Sequence, residues 1–284
     1  MMMQERYCFF EGKTERFVFE GLGLLPPSQK KRVERNNDEQ NNEESSTVTR
    51  QAAQEDIGGK SKINDRVRKT LGPDITDNQK VRCLILRDLD SHDDETPASI
   101  KQSVVDCFKA LFRERGFDDQ GVNFKPHEQF SNVFLFEITA PDLKVALHIA
   151  EYKYSEQFIK STIDDYILDL ALRAETVQSL IKRKQNIRIK EFIEEIAGDS
   201  EEAKINQLAN TIIKKVLEEI PQLLRENGFP PLKEAKQYLQ YYSAITQEPK
   251  SPAVISKDVI KCASDEAKQT VLASLFATIQ FLSE

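Results

Sequence analysis

Residues 5 to 10 form a short apolar run, ERYCFF, that stops at Glu11-Gly12; from Lys13 onward Phe17, Val18, Leu22 and Leu25 fall at helical spacing. The pattern predicts a strand, a turn and a helix. Val81 to Leu86 (VRCLIL) is a continuous apolar run of strand length, which predicts a buried strand carrying Arg87, Asp88, Leu89 and Asp90 at its C-terminal end. Pro97 opens the next helix, in which Ile100, Val104, Val105, Phe108, Leu111 and Phe112 share one stripe, and Gly116 closes it. Two further strands are predicted, NVFLFEIT at 132–139 and KVALHIAEY at 144–152. Strands alternating with helices predict an α/β fold, a mostly parallel sheet flanked by helices.

From Ser161 the periodicity is helical to the end, over 161–173, 175–197, 201–227, 231–243 and 264–283. The last of these starts at Ser264 and aligns Ala267, Val271, Leu275, Phe276, Ile279 and Leu282, a packing stripe. Pro-rich stretches at 229–231 and 249–252 predict turns. Between Pro26 and Gln79 the pattern collapses into polar sequence such as NNDEQNNEESSTVTRQAAQED, which we read as a mobile insertion. The expected organisation is an α/β domain over 1–160, with the insertion at 26–79, and an α-helical region over 161–284 packed on it.

At 284 residues the chain can bury a sizeable core without disulfides, and Cys8, Cys83, Cys107 and Cys262 lie too far apart for a CxxC or zinc pattern. They are expected to be reduced. No signal-peptide pattern and no apolar run of membrane-spanning length stands in the sequence, so a soluble cytoplasmic protein that does not enter membranes is expected. The net charge of −7 argues against a wholesale electrostatic grip on nucleic acid, although a basic patch or a bound cation can reverse the field locally.

The acids at the two strand ends carry the chemistry. In an open α/β sheet the carboxyl ends of the strands face the crevice where ligands bind. A hard cation such as Mg²⁺ wants oxygen ligands and keeps several waters, needs that an ExxxE turn facing a DxD turn can meet. Asp88 and Asp90, two apart, point the same way in strand geometry; Glu11 and Glu15, four apart, converge across a turn and the first turn of a helix. Either motif alone is more often a solvated face. Their position directly after apolar strands, with Gly12 free to make a tight turn, gives the combination its force.

YCFFEGKTERFVFEGL resembles the first motif of a TOPRIM domain, and LILRDLDSHDDE resembles the second. The likeness spans roughly residues 5 to 170 and is closest to stand-alone TOPRIM proteins similar to the nuclease half of the overcoming-lysogenization-defect family. It implies a TOPRIM-like sheet and a Mg²⁺ (or Mn²⁺) site in which Asp88 and Asp90 hold metal, Glu11 is a ligand or general acid or base, and Glu15, where the family often has Asp, completes the set. It also implies an acidic pair opening a later helix, for which STIDDYILDLAL offers Asp164 and Asp165 as metal ligands, and a lysine, for which KEAKQYL offers Lys233 or Lys236. The implied activity is metal-dependent cleavage of phosphodiester bonds, of DNA ahead of RNA, in defence against phage or mobile elements. The implied partner is a separate ATPase, since the chain has no Walker A motif, and a homodimer is compatible with it.

Weaker features have plainer readings. His92, beside the DxD, fits an exposed loop; His127 and His148 lack partners at metal spacing, and His148 fits a strand core. The basic run KRKQNIRIK, from Lys182 to Lys190, fits a solvated helix face paired with Glu191, Glu194 and Glu195 better than a phosphate-binding face. Asp164 and Asp165 would also suit a helix N-terminus without any metal. A non-catalytic TOPRIM-like module that binds nucleic acid or a protein is the competing function, and topoisomerase or primase readings fit a chain of this length and cysteine count less well.

Overall fold

The computed structural model describes residues 4–25, 61–77, 79–90, 95–184, 193–198, 200–246 and 251–284. Its centre is a five-stranded open sheet of β1 (Gln4–Phe9), β2 (Lys80–Asp88), β3 (Lys125–Pro126), β4 (Val133–Ile138) and β5 (Leu143–Ala150), in the order β1-β2-β5-β4-β3. β1, β2 and β5 run parallel, with Phe9 opposite Ile85 and Asp88 opposite Ala150; β4 lies antiparallel to β5, and β3 to β4. The chain has the α/β architecture that the alternating pattern predicts.

Alternation along β2 sends its side chains to two different cores. Val81, Cys83 and Ile85 face α2 (Ser61–Thr76) and α3 (Pro97–Glu114), where Phe108, Phe112, Phe124 and Phe136 also lie. Leu84 and Leu86 face α1 (Lys13–Gly21) and the helices of the second half. β1 therefore continues into a helix on one face and β2 into a helix on the other. The crevice between their C-terminal ends is where an open α/β sheet offers a ligand site.

The second half is helical among the described residues: α4 (Ile163–Ala171), α5 (Ala174–Lys184), α6 (Glu201–Lys214) running through a π turn at Lys215–Glu219 into α7 (Ile220–Glu226), α8 (Ala235–Thr246), α9 (Pro252–Cys262), α10 (Asp265–Val271) and α11 (Ala273–Ser283). The single helix expected over 264–283 breaks at Leu272. Residues 185–192, with most of the basic run and Glu191, and residues 91–94, with His92, lie outside the described residues.

Two helices correct the reading of the polar stretches. α2 lies inside the 26–79 segment read as an insertion, and Ile63, Val67, Leu71 and Ile75, four residues apart, are all buried against the sheet. Four apolar residues in sixteen suffice when all fall on one stripe. Residues 26–60, the rest of that segment, lie outside the described residues. α9 begins where only a turn was expected: Pro252 occupies its first turn, where a missing N–H costs nothing, and Ile255, Val259 and Ile260 are buried.

α1 and α9 approach at backbone distance near their C-terminal ends. A Cβ at Gly21 would lie 2.9 Å from Ile260 Cβ and 3.3 Å from the Lys257 carbonyl oxygen, so the approach depends on glycine. Lys257 Nζ is 2.9 Å from Glu20 Oε2 in the same contact. Among the described residues no helix is long and apolar enough to cross a membrane.

Candidate metal centre

A cleft of about 510 Å³ opens between the ends of β1 and β2, the first turn of α4 and the first turn of α9. Glu11, Glu15, Asp88, Asp90 and Asp164 line it together with Lys13 and Lys236. Five of the six acids singled out in the sequence thus share one wall system. The antiparallel bridge between Leu89 and Ser161, closed by hydrogen bonds of 2.8 and 2.9 Å, holds the DxD segment against the start of α4 and brings Asp88 and Asp164 to the same place.

Each carboxylate is held differently. Glu15, only 2% exposed, receives the N–H groups of Gly12 and of its own residue, and its Oε1 has no hydrogen-bond partner. Gly12 has φ of −136°, extended backbone open to any residue, so its value is space and not a special turn: a Cβ there would lie 3.0 Å from Glu15 Oε2. Asp88, half-buried, accepts the Ile163 N–H at 3.1 Å. Asp164, 7% exposed, bonds the Thr14 side chain and leaves Oδ1 without a partner. Asp90 lines the rim, half-buried and in the field of Glu11.

Crowding shows in the proton affinities. Burial, then the Asp164 and Glu11 charges, push Glu15 up to about 7 against backbone N–H bonds that pull it down. Burial followed by repulsion from Glu15, Glu11 and Asp164 drives Asp88 well above the carboxylate range. Burial raises Asp164 to about 6, although the Thr14 bond and the nearby Lys236 ammonium oppose the rise. Like charges forced together out of water favour protons, or a cation that replaces them.

Arg87 is the residue that the sequence reading passed over. It is 3% exposed, its Nε donates to Glu11 Oε1, and its Nη2 stands 3.6 Å from Glu95 Oε1. Glu11 also receives the Asp88 N–H, and burial still raises its pKa despite the guanidinium. The signal was present: an arginine at the end of a buried strand must find a partner, as Arg82 near the other end of β2 finds Asp142 at 2.8 Å.

Asp165, expected as a second ligand in the α4 pair, does not line the cleft. Its Oδ1 accepts the Tyr154 N–H at 3.0 Å and its Oδ2 the Thr162 N–H at 3.0 Å, which makes it the reciprocal half of a capping box with Thr162. Of the two candidate lysines, Lys236 reaches the cleft wall from α8, exposed, whereas Lys233 stays outside it.

No family model, curated protein or solved structure matches the chain.

A divalent cation suits the donor set in chemical kind, since the two orphaned oxygens, Glu15 Oε1 and Asp164 Oδ1, are buried carboxylate atoms in a cleft of further carboxylates. Among the described residues no three His, Cys, Asp or Glu side chains already stand in ligating geometry. The acids share the cleft without converging on one point. The four cysteines are free, and His148 lies buried with Nε2 2.9 Å from Ser274 Oγ, its pKa lowered to about 4 by burial.

Proposed function

We propose that the chain is a Mg²⁺- or Mn²⁺-dependent nuclease of TOPRIM type that hydrolyses phosphodiester bonds, of DNA ahead of RNA, in defence against phage or mobile elements beside a separate ATPase. The observation that carries this reading is the lining of one cleft, at the carboxyl ends of two adjacent parallel strands, by acids that come from three separate stretches of sequence and include two buried, unpartnered oxygens. A module that only bound a partner would have no use for such mutual repulsion.

In this reading Glu15, Asp88 and Asp164 hold the ion, with Asp90 at the rim. Bound there, the ion supplies positive charge to phosphate oxygens and acidifies a water for attack. Glu11, oriented by Arg87 and the Asp88 N–H, takes the proton from the attacking oxygen or gives one to the leaving oxygen, a role worth about 10²- to 10⁴-fold in rate. Lys236 and Lys13 bring ammonium groups to the wall on which the phosphate would rest.

The test is cleavage of plasmid DNA and of tRNA with Mg²⁺ or Mn²⁺, comparing wild type with Glu11→Ala and Asp88→Asn. Both substitutions are expected to reduce cleavage at least about 100-fold, the scale of a lost acid-base or charge-stabilising group. Cleavage by Asp88→Asn equal to wild type would sink the site assignment. Silence of the wild type with either metal, alone and with an ATPase, would favour the non-catalytic binding module.

A further inference from the structure

A second cleft, of about 470 Å³, opens farther along the same edge of the sheet, lined by Asn132, Tyr152, Tyr166, Asp169, Arg173 and Ser274 among others. Its chemistry differs from that of the acid cleft. Asp169 is answered on both oxygens, by Arg173 Nε at 3.2 Å and by the Tyr152 hydroxyl at 2.9 Å. The Tyr152 ring, 39% exposed, is thereby pinned by its own hydroxyl, and it packs at a tilt 5.2 Å from the ring of Tyr166. Tyr166 is buried, backed by Ser274 and through it by His148. An exposed aromatic held rigidly at a cleft surface loses little freedom when a flat ring stacks on it, which is what a nucleobase platform needs. The local carboxylates make the same surface a poor seat for phosphate.

The position fits a strand that also visits the acid cleft. Asp88 pairs with Ala150, the last residue of β5, and Tyr152 follows two residues later, which keeps the two Cα atoms within roughly 12 Å by the reach of the chain. Asp164 on the acid cleft and Asp169 on the second cleft both belong to α4, five residues and about 7.5 Å apart along its axis. At about 3.4 Å per stacked nucleotide, with the width of α4 added, this spans about two to four nucleotides.

We infer that the second cleft binds a nucleobase of the strand whose phosphate occupies the acid cleft, stacked on Tyr152 two to four nucleotides from that phosphate. The inference rests on the nuclease reading for its substrate class and requires single-stranded character there, since a paired base cannot offer its face.

The experiment measures binding of short fluorescein-labelled single-stranded oligodeoxynucleotides by anisotropy, with Ca²⁺ in place of Mg²⁺, for wild type, Tyr152→Ala and Tyr152→Phe, each first checked for an unchanged Tm. Loss of one stacked base predicts about 5- to 150-fold weaker binding by Tyr152→Ala, while Tyr152→Phe, which keeps the ring, stays within about 3-fold of wild type. A single abasic nucleotide scanned along the oligonucleotide should weaken wild-type binding at one position and leave Tyr152→Ala unaffected there. Binding by Tyr152→Ala equal to wild type, or an abasic scan with no such position, overturns the inference. Strand binding that depends on Tyr152 without cleavage under Mg²⁺ or Mn²⁺, alone and with an ATPase, upholds the base site and defeats the nuclease reading; cleavage indifferent to Tyr152 does the reverse, and a wild type that binds no single strand but cleaves plasmid overturns the base site alone.

Discussion

On the face of the sheet covered by α2 and α3, Phe108, Phe112, Phe124 and Phe136 pack ring against ring at centroid distances of 5.4 to 6.3 Å. The face covered by α1, α4 and the later helices buries Glu15, Glu20, His148 and Asp164 around a similarly apolar centre. Burying aromatic and aliphatic surface is favourable without further conditions. Burying a carboxylate without a full set of partners is costly, and the cost is tolerated only where something else depends on it. One face of the sheet therefore supplies stability, and the other gives part of it up around the acid cleft.

Phe112→Ala should lower the unfolding free energy by about 3–5 kcal/mol, read from a urea midpoint, and leave the response of the folded protein to divalent cations unchanged. If that response disappears while the protein is still folded, the two faces are not separable.

Glu15→Gln should act in the opposite direction. Because burial and like charge raise Glu15 to about 7 and Asp164 to about 6, the folded state binds these protons more tightly than the unfolded chain does. Their stabilisation is complete at low pH and is lost as pH rises through the folded values, so the metal-free protein should melt lower at about pH 8 than at about pH 6. His148, lowered to about 4, has the contrary sense, and its stabilisation falls away only on acidification below the ordinary histidine range. Glu15→Gln should flatten the alkaline loss and raise Tm at about pH 8 by a few degrees, about 2–4 °C per kcal/mol for a chain of this size. Mn²⁺ should restore the alkaline Tm of the wild type and do little for the variant. A wild-type Tm indifferent to pH over this interval would mean that the cleft acids are not crowded.

The smallest effect separates two neighbours. Asp165→Ala removes a cap and should cost about 1 kcal/mol by chemical denaturation while Mn²⁺ still stabilises the protein. Asp164→Asn should keep the stability and lose the Mn²⁺ response. An inverted result would exchange the roles of the two aspartates.

Much of this was legible in the chain because apolar runs of strand length ended abruptly in acids, a pattern that reports both a buried strand and a charged crevice at its end. Glu11, Glu15, Asp88 and Asp90 were found that way, Asp164 only through the family resemblance, and the cleft follows from the parallel pairing of β1 with β2 and from the bridge that ties Leu89 to Ser161. Residues whose role depends on side-chain direction were not. Asp164 and Asp165 read alike in sequence, although Thr162 three residues before Asp165 spelled a capping box. α2 was hidden because composition averaged over a polar stretch conceals four apolar residues set at one spacing. Arg87 was overlooked because a cation inside an acid motif reads as noise until its partner is known.

Gly21 has a bearing on the cleft that its position conceals. α1 and α9 each present their first turn at the cleft, Glu15 on one and Pro252 and Ala253 on the other, and they touch at backbone distance near their far ends. The two helices pack side by side, and their closest approach at Gly21 lies about 9 Å along the α1 axis from Glu15. A methyl group at Gly21 would collide with Ile260, so the close seating of two helices that wall the cleft depends on a residue that carries no charge and does not line it.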